Sequence, residues 1–165
     1  MVDEESFLGH VLVVDDDRTL LTILSSILEK DYAVSTASSG VEALQLLKTS
    51  AVDLILLDIM MPDMDGLEVC AAIKADPRIA DVPIIFITGL DDEGAEETAL
   101  DAGAVDYLHK PINPRVVETR VRLQMQNYLY LQFLERMLRE KNITIETLRA
   151  ETRALLDSIG LAKPD

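Results

Sequence analysis

Five short apolar runs recur along the first two thirds of the chain: HVLVVD (10–15), YAVST (32–36), DLILLD (53–58), VPIIFIT (82–88) and VDYLHK (105–110). They are rich in Val and Ile and too short for helices, which makes them strands. The intervals between them carry helical spacing: about 17–30 around LLTILSSIL, 39–50 around GVEALQLLK, 65–75 around DGLEVCAAIK, and 92–103 in DEGAEETALDAG. Strands apolar on both faces and linked by helices require a parallel sheet covered on both sides, because right-handed crossovers lay each helix over the sheet. The pattern predicts a doubly wound α/β domain.

Such sheets carry their chemistry at the carboxyl ends of the strands, near the point where the strand order reverses. The first strand ends in Asp15, Asp16 and Asp17, the third in Asp58, the fourth in Thr88 followed by Gly89, and the fifth in His109 and Lys110 before Pro111. Asp17, just ahead of the first helix, reads as its cap. Taken singly, Thr88 is an ordinary β-former and Lys110 an ordinary surface base. Together, the strand ends suggest one pocket. Carboxylates from Asp15, Asp16 and Asp58 crowded there would repel, at about 4 kcal/mol for two charges ~4 Å apart in a medium of effective dielectric 20. A cation is needed, and Mg²⁺ suits one or two carboxylates supplemented by water and phosphate oxygens. Lys110 adds a mobile point charge and Thr88 a hydroxyl donor, so the set brackets a phosphoryl group that Asp58 can accept covalently.

Composition narrows the alternatives. Net charge is −15 over 165 residues, and it is uneven: residues 1–111 hold 23 acidic against 6 basic residues, residues 112–165 hold 7 against 9. An acidic body repels nucleic-acid phosphates. With Cys70 as the single cysteine, no intramolecular disulfide can form. The first residues, VDEESF after Met1, do not resemble a signal peptide, and no run of 18 apolar residues offers a membrane span, so a cytoplasmic location is expected. The first strand leads into DDDR, the opposite of a glycine-rich phosphate turn, and there is no P-loop. An EF-hand placed on DMDG with Gly66 sixth puts Met61 first and Ala72 twelfth, which fails.

VLVVDDD, LLDIMMPDMDG, FITG and YLHKP, in that order and spacing, make residues 10 to about 122 resemble the receiver domain of two-component response regulators. The resemblance implies a five-stranded sheet in the order 2-1-3-4-5. It further implies that Asp58 is phosphorylated by a sensor histidine kinase or a histidine phosphotransfer protein. Asp15 and Asp16 would organise Mg²⁺ with Asp58, Asp16 more directly, and Met60 would offer its backbone carbonyl. Thr88 and Lys110 would contact the phosphoryl oxygens, and Tyr107 falls at the aromatic position that moves inward when the threonine is drawn to the phosphate. Met60 and Leu90 are apolar where many members carry polar groups that place the attacking water, so slow self-dephosphorylation is expected. Gly89 should leave the acceptor open.

A rival enzyme reading is a haloacid-dehalogenase-like phosphatase, whose D-x-D-x-T motif fits Asp15, Asp17 and Thr19, with Thr88 and Lys110 at its later positions. It wants a further acidic motif where PINPRVVETR stands, and it leaves Asp58 idle. A third reading is a phosphorylation-independent dimerisation scaffold.

Beyond Pro111 the pattern predicts one helix from about Pro114 to Ile159, with Val116, Val117 and Val121 packed on the sheet. From Leu131 a three-four spacing continues through Leu134, Leu138, Lys141, Ile145, Leu148, Thr152, Leu155 and Ile159, the seam of a coiled coil and, for a homodimer, its interface. The expected organisation is a tail over 1–9, a receiver over 10–122, a helical extension or linker over 123–160 and a tail over 161–165. No output domain is expected in this chain, which reads as an adaptor or as a fragment cut before an effector such as a cyclic-di-GMP enzyme, a phosphatase or a kinase. No helix-turn-helix and no dense basic face suggests direct DNA binding.

Overall fold

The structure is a computed structural model that describes residues 7–89, 94–141 and 143–158. Its order is β1 (His10–Val14), α1 (Arg18–Leu28), β2 (Ala33–Ala37), α2 (Gly40–Thr49), β3 (Leu54–Asp58), α3 (Gly66–Ala75), β4 (Ile84–Thr88), α4 (Ala95–Asp101), β5 (Asp106–His109), α5 (Pro114–Glu140) and α6 (Ile145–Ser158). All five strands are parallel, in the order β2-β1-β3-β4-β5, as the sequence pattern and the resemblance imply.

The chain divides into two units, Met1–Tyr128 and Leu129–Asp165, with the boundary inside α5. In the first, alternation along the strands sends successive side chains to opposite faces. Leu12, Val14, Ile55, Leu57, Ile84 and Phe86 meet Ala43 and Leu47 of α2, Val69 and Ile73 of α3 and Ala99 of α4. Val11, Val13, Leu54, Leu56, Ile85 and Ile87 meet Leu21, Leu24 and Leu28 of α1 and Val117, Val121 and Met125 of α5. Every residue of β3 and β4 is buried, which is why those segments read as continuous apolar runs.

Local chemistry sets the helix starts. Asp17 caps α1, its side chain accepting from the Thr19 and Leu20 amides, as expected. Asp65 and Glu68 form a reciprocal capping box on α3. Asn113 accepts from the Arg115 and Val116 amides at the head of α5, with Pro114 in the first helical position, where it lacks no needed donor.

Two expectations about the last third need correction. Val117 and Val121 pack on the sheet as expected, but Val116 is 40% exposed and Met125 completes the i, i+4, i+8 stripe. The helix expected to run unbroken to Ile159 is interrupted: α5 ends at Glu140 and α6 starts at Ile145. The Thr144 hydroxyl accepts from the Thr147 amide, capping α6, while the Ile143 amide closes back on the Leu138 carbonyl. Threonine helps itself to nearby backbone groups and so favours a helix start over a helix interior. The seam residues Leu131, Leu134, Leu148 and Leu155 are exposed on the two helices, and Ile159 lies outside the described residues.

No helix among the described residues is long and apolar enough to cross a membrane.

Candidate functional site

The register brings the charged strand ends together. β1 and β4 both pair with β3, so Asp15 leaves the sheet on one side of Asp58, while Ile87 pairs with Asp58 and puts Thr88 one step beyond on the other. Ligand oxygens of Asp15, Asp16 and Asp58 all lie within 4.8 Å of one another. Lys110 arrives from the end of β5, its ammonium 3.1 Å from Asp15 Oδ2 and 3.3 Å from Asp58 Oδ1.

Burial makes this cluster electrically tense. Asp15 is fully buried and Asp58 only 3% exposed, whereas Asp16 faces solvent. Desolvation first, and the neighbouring Asp15 charge second, push the Asp58 carboxyl up to about 6, against the counteracting charge and hydrogen bond of Lys110 and a backbone hydrogen bond from Met60. Burial works against the Lys110 ammonium too, but its contact with Asp15 and the charges of Asp58 and Asp15 outweigh that and hold its pKa above the ordinary lysine value. Asp15 Oδ1 accepts the Asp17 amide at 2.8 Å. Asp15 Oδ2 is buried without a well-directed hydrogen-bond donor, and its contact with Lys110 is one of charge rather than of aligned N–H. A buried carboxylate oxygen short of donors, within reach of two other hard oxygens, is the donor chemistry that a small divalent cation requires.

Asp17 spends its carboxylate on the α1 cap, leaving only one aspartate of the pair that a phosphatase of the rival type would need on this loop. Thr88 is buried at 1% exposure, its hydroxyl 3.1 Å from His109 Nδ1 and 3.5 Å from the Leu108 carbonyl. Tyr107 is half-buried against the core, edge-on to the His109 ring with centroids 5.3 Å apart, and Arg120 of α5 lies over its ring at 5.9 Å. The Met60 side chain, two residues past Asp58, is 68% exposed. Beside Thr88, a Cβ built on Gly89 would meet nothing within 4 Å. Leu90 lies outside the described residues.

Three contributors are not legible in the sequence. A Cβ on Gly66 would stand 2.2 Å from the Asp58 carbonyl oxygen and 2.8 Å from Ile59 Cα, so only glycine lets α3 start directly behind Asp58. The Gly66 amide bonds the Ile59 carbonyl at 2.8 Å, tying that turn to the end of β3. The DG pair hints at a turn but not at this approach. His109, in the sequence only a polar strand end, touches both Thr88 and Tyr107. Asp106 and Arg120 form an ion pair between β5 and α5 that no spacing rule suggests.

Comparison with known proteins agrees with this geometry. Residues 11–122 match the model of the response regulator receiver domain. The chain is 38% identical over 153 residues, 92% of its own length, to the response regulator PleD of Caulobacter vibrioides, of which it spans 33%. It is 42% identical over 113 residues, 68% of the chain and 46% of the relative, to the alkaline phosphatase synthesis transcriptional regulatory protein PhoP of Bacillus subtilis. A CheY-like response regulator receiver domain protein from Methanospirillum hungatei superposes with a TM-score of 0.67 at 31% identity, covering 74% of this chain and 97% of that one. The first curated relatives are longer proteins, of which the chain spans between 26% and 49%. Receiver domains bind Mg²⁺ at an acidic cluster, and this chain has such a cluster at the end of its central strands. The match over most of the chain, on a sheet of the expected order, makes this chain a member of the response regulator receiver domain family.

Proposed function

We propose that this receiver takes a phosphoryl group on Asp58 from a sensor histidine kinase or a histidine phosphotransfer protein. The observation that carries the reading is a nearly buried Asp58 carboxylate beside Asp15, with the Lys110 ammonium in contact with both. In the transfer, an Asp58 oxygen forms the new P–O bond as the donor's P–N bond breaks; the bonding pair stays on the imidazole nitrogen, which takes a proton. Lys110 offsets charge on the transferring oxygens, and Thr88 turns its hydroxyl toward them. Asp15, Asp16, Asp58 and the Met60 backbone carbonyl would hold Mg²⁺, which when bound supplies positive charge against both the carboxylates and the phosphoryl oxygens. Tyr107 follows Thr88 inward as the switch. Met60 and Leu90, both apolar, offer no polar group to place an attacking water, so self-dephosphorylation is slow.

The receiver over 10–122 passes its state through the helical extension over 123–160 to an output domain or partner, as a homodimer through 131–159 in the cytoplasm. Exposed Leu131, Leu134, Leu148 and Leu155 support that pairing, and the interruption before Ile145 makes the seam two short segments rather than one. The chemistry is tested by weighing the intact protein after incubation with acetyl phosphate and Mg²⁺. The mass of one phosphoryl group should be gained by the wild type and by Asp17→Ala, and lost in Asp58→Ala. Modification that persists in Asp58→Ala but disappears in Asp15→Ala would overturn the assignment.

A further inference from the structure

His109 stands between the two residues of the switch. Residues 107 and 109 share one face of β5 because side chains alternate along a strand. Thr88 is the cross-strand partner of His109, and Phe86 that of Tyr107. The result is a chain of contacts: the Thr88 hydroxyl 3.1 Å from His109 Nδ1, the His109 and Tyr107 rings in a T-shaped contact at 5.3 Å and 69°, and Arg120 of α5 over Tyr107 at 5.9 Å while paired with Asp106. It leads from the phosphoacceptor pocket to the helix that carries the extension.

We infer that His109 is a positioning residue that latches the Thr88 side chain toward β5 in the unphosphorylated protein, so that phosphorylation must break the Thr88–His109 hydrogen bond before Thr88 and Tyr107 can move. The inference rests on Asp58 being the phosphoacceptor. Either tautomer serves: Thr88 donates to a bare Nδ1, or a protonated Nδ1 donates to the Thr88 oxygen. In both, the hydroxyl that the phosphoryl group needs is held by a partner on β5, with the Leu108 carbonyl, at 3.5 Å, too distant to replace it well. A neutral hydrogen bond of this kind shifts a two-state equilibrium by about fivefold. Its contact with Tyr107 makes the same ring sense both events: the imidazole cannot turn away from Thr88 without changing its T-shaped contact with the Tyr107 ring.

The test titrates the full chain with acetyl phosphate in Mg²⁺, following the modified fraction by intact mass and the Tyr107 ring by NMR of ring-labelled tyrosine. In His109→Ala the acetyl phosphate concentration for half-modification should fall about fivefold, and the Tyr107 signal of the unmodified protein should move toward its modified position. His109→Asn, which keeps a hydrogen-bonding atom near the place of Nδ1, should return both toward the wild type. A modified wild type whose His109→Ala variant has the same midpoint overturns the latch alone. Equal shifts in His109→Ala and His109→Asn also overturn it, since they would mark a packing role. A wild type that gains no phosphoryl mass overturns the acceptor reading, and the latch with it.

Discussion

Replacing Asp58 by asparagine should stabilise the protein at neutral pH without Mg²⁺, although it removes an ion pair. Asp58 has a carboxyl pushed up to about 6 from an ordinary 3.8, by burial above all and then by Asp15. An acid whose folded pKa lies above its unfolded one binds its proton more tightly in the native state, so stability falls as pH rises through that window and levels off above about 6. The full penalty is about 3 kcal/mol for roughly two pKa units, of which about 2 kcal/mol accumulates between about pH 4.5 and pH 8. Solvent screening takes little from this figure, because Asp58 is only 3% exposed. The carboxamide introduced by Asp58→Asn has no acidic proton to lose and escapes the penalty. Urea unfolding of both proteins in EDTA, at several pH values across that range, measures the difference. The gap in favour of Asp58→Asn should widen by about 2 kcal/mol from acid to neutral pH, and Mg²⁺ should narrow it by stabilising the wild type. A gap that stays constant with pH would refute the claim that Asp58 is held in an unfavourable charged state.

Further outcomes follow from individual contacts. Gly66→Ala should cost about 1–3 kcal/mol or more in urea unfolding, because the clashing atoms are backbone and cannot move aside; a loss below about 0.5 kcal/mol would refute the close approach. Asp17→Ala removes the α1 cap and should lower stability by about 1 kcal/mol while leaving phosphoryl uptake intact. Mg²⁺ at about a hundred times its Kd should add about 2.7 kcal/mol to wild-type stability in urea unfolding, and Asp15→Asn should lose most of that gain in the same assay. Thr144→Ala should lower protection of the amides at the start of α6 from hydrogen exchange, by roughly fivefold for a cap of ~1 kcal/mol, with α1 unchanged.

The central strands are legible because β3 and β4 are buried on both faces and so tolerate no polar interruption until Asp58 and Thr88. The site is legible for a related reason: in a parallel sheet of this kind every strand delivers its carboxyl end to the same edge, so Asp15, Asp58, Thr88 and Lys110 converge whatever the details of the helices. The last third is harder to read. Helical spacing marks a stripe without marking its width or length, so the sequence adds Val116 to the buried pair Val117 and Val121 and leaves out Met125. Thr144 carries only a weak local preference, and nothing in KNITIE announces that its hydroxyl will start a new helix there.

Periodicity and strand-end residues are properties of the chain alone, and they set the sheet, its layering and the chemical identity of the groups at its carboxyl edge. Which of those groups touch is a matter of packing. The tension on Asp58 depends on burial and on how near Asp15 and Lys110 come, the closeness of Gly66 on where α3 packs, and the link from Thr88 through His109 to Tyr107 on the register of β4 against β5. Each is a distance across segments far apart in the chain, and such distances are set by how layers pack rather than by any local pattern.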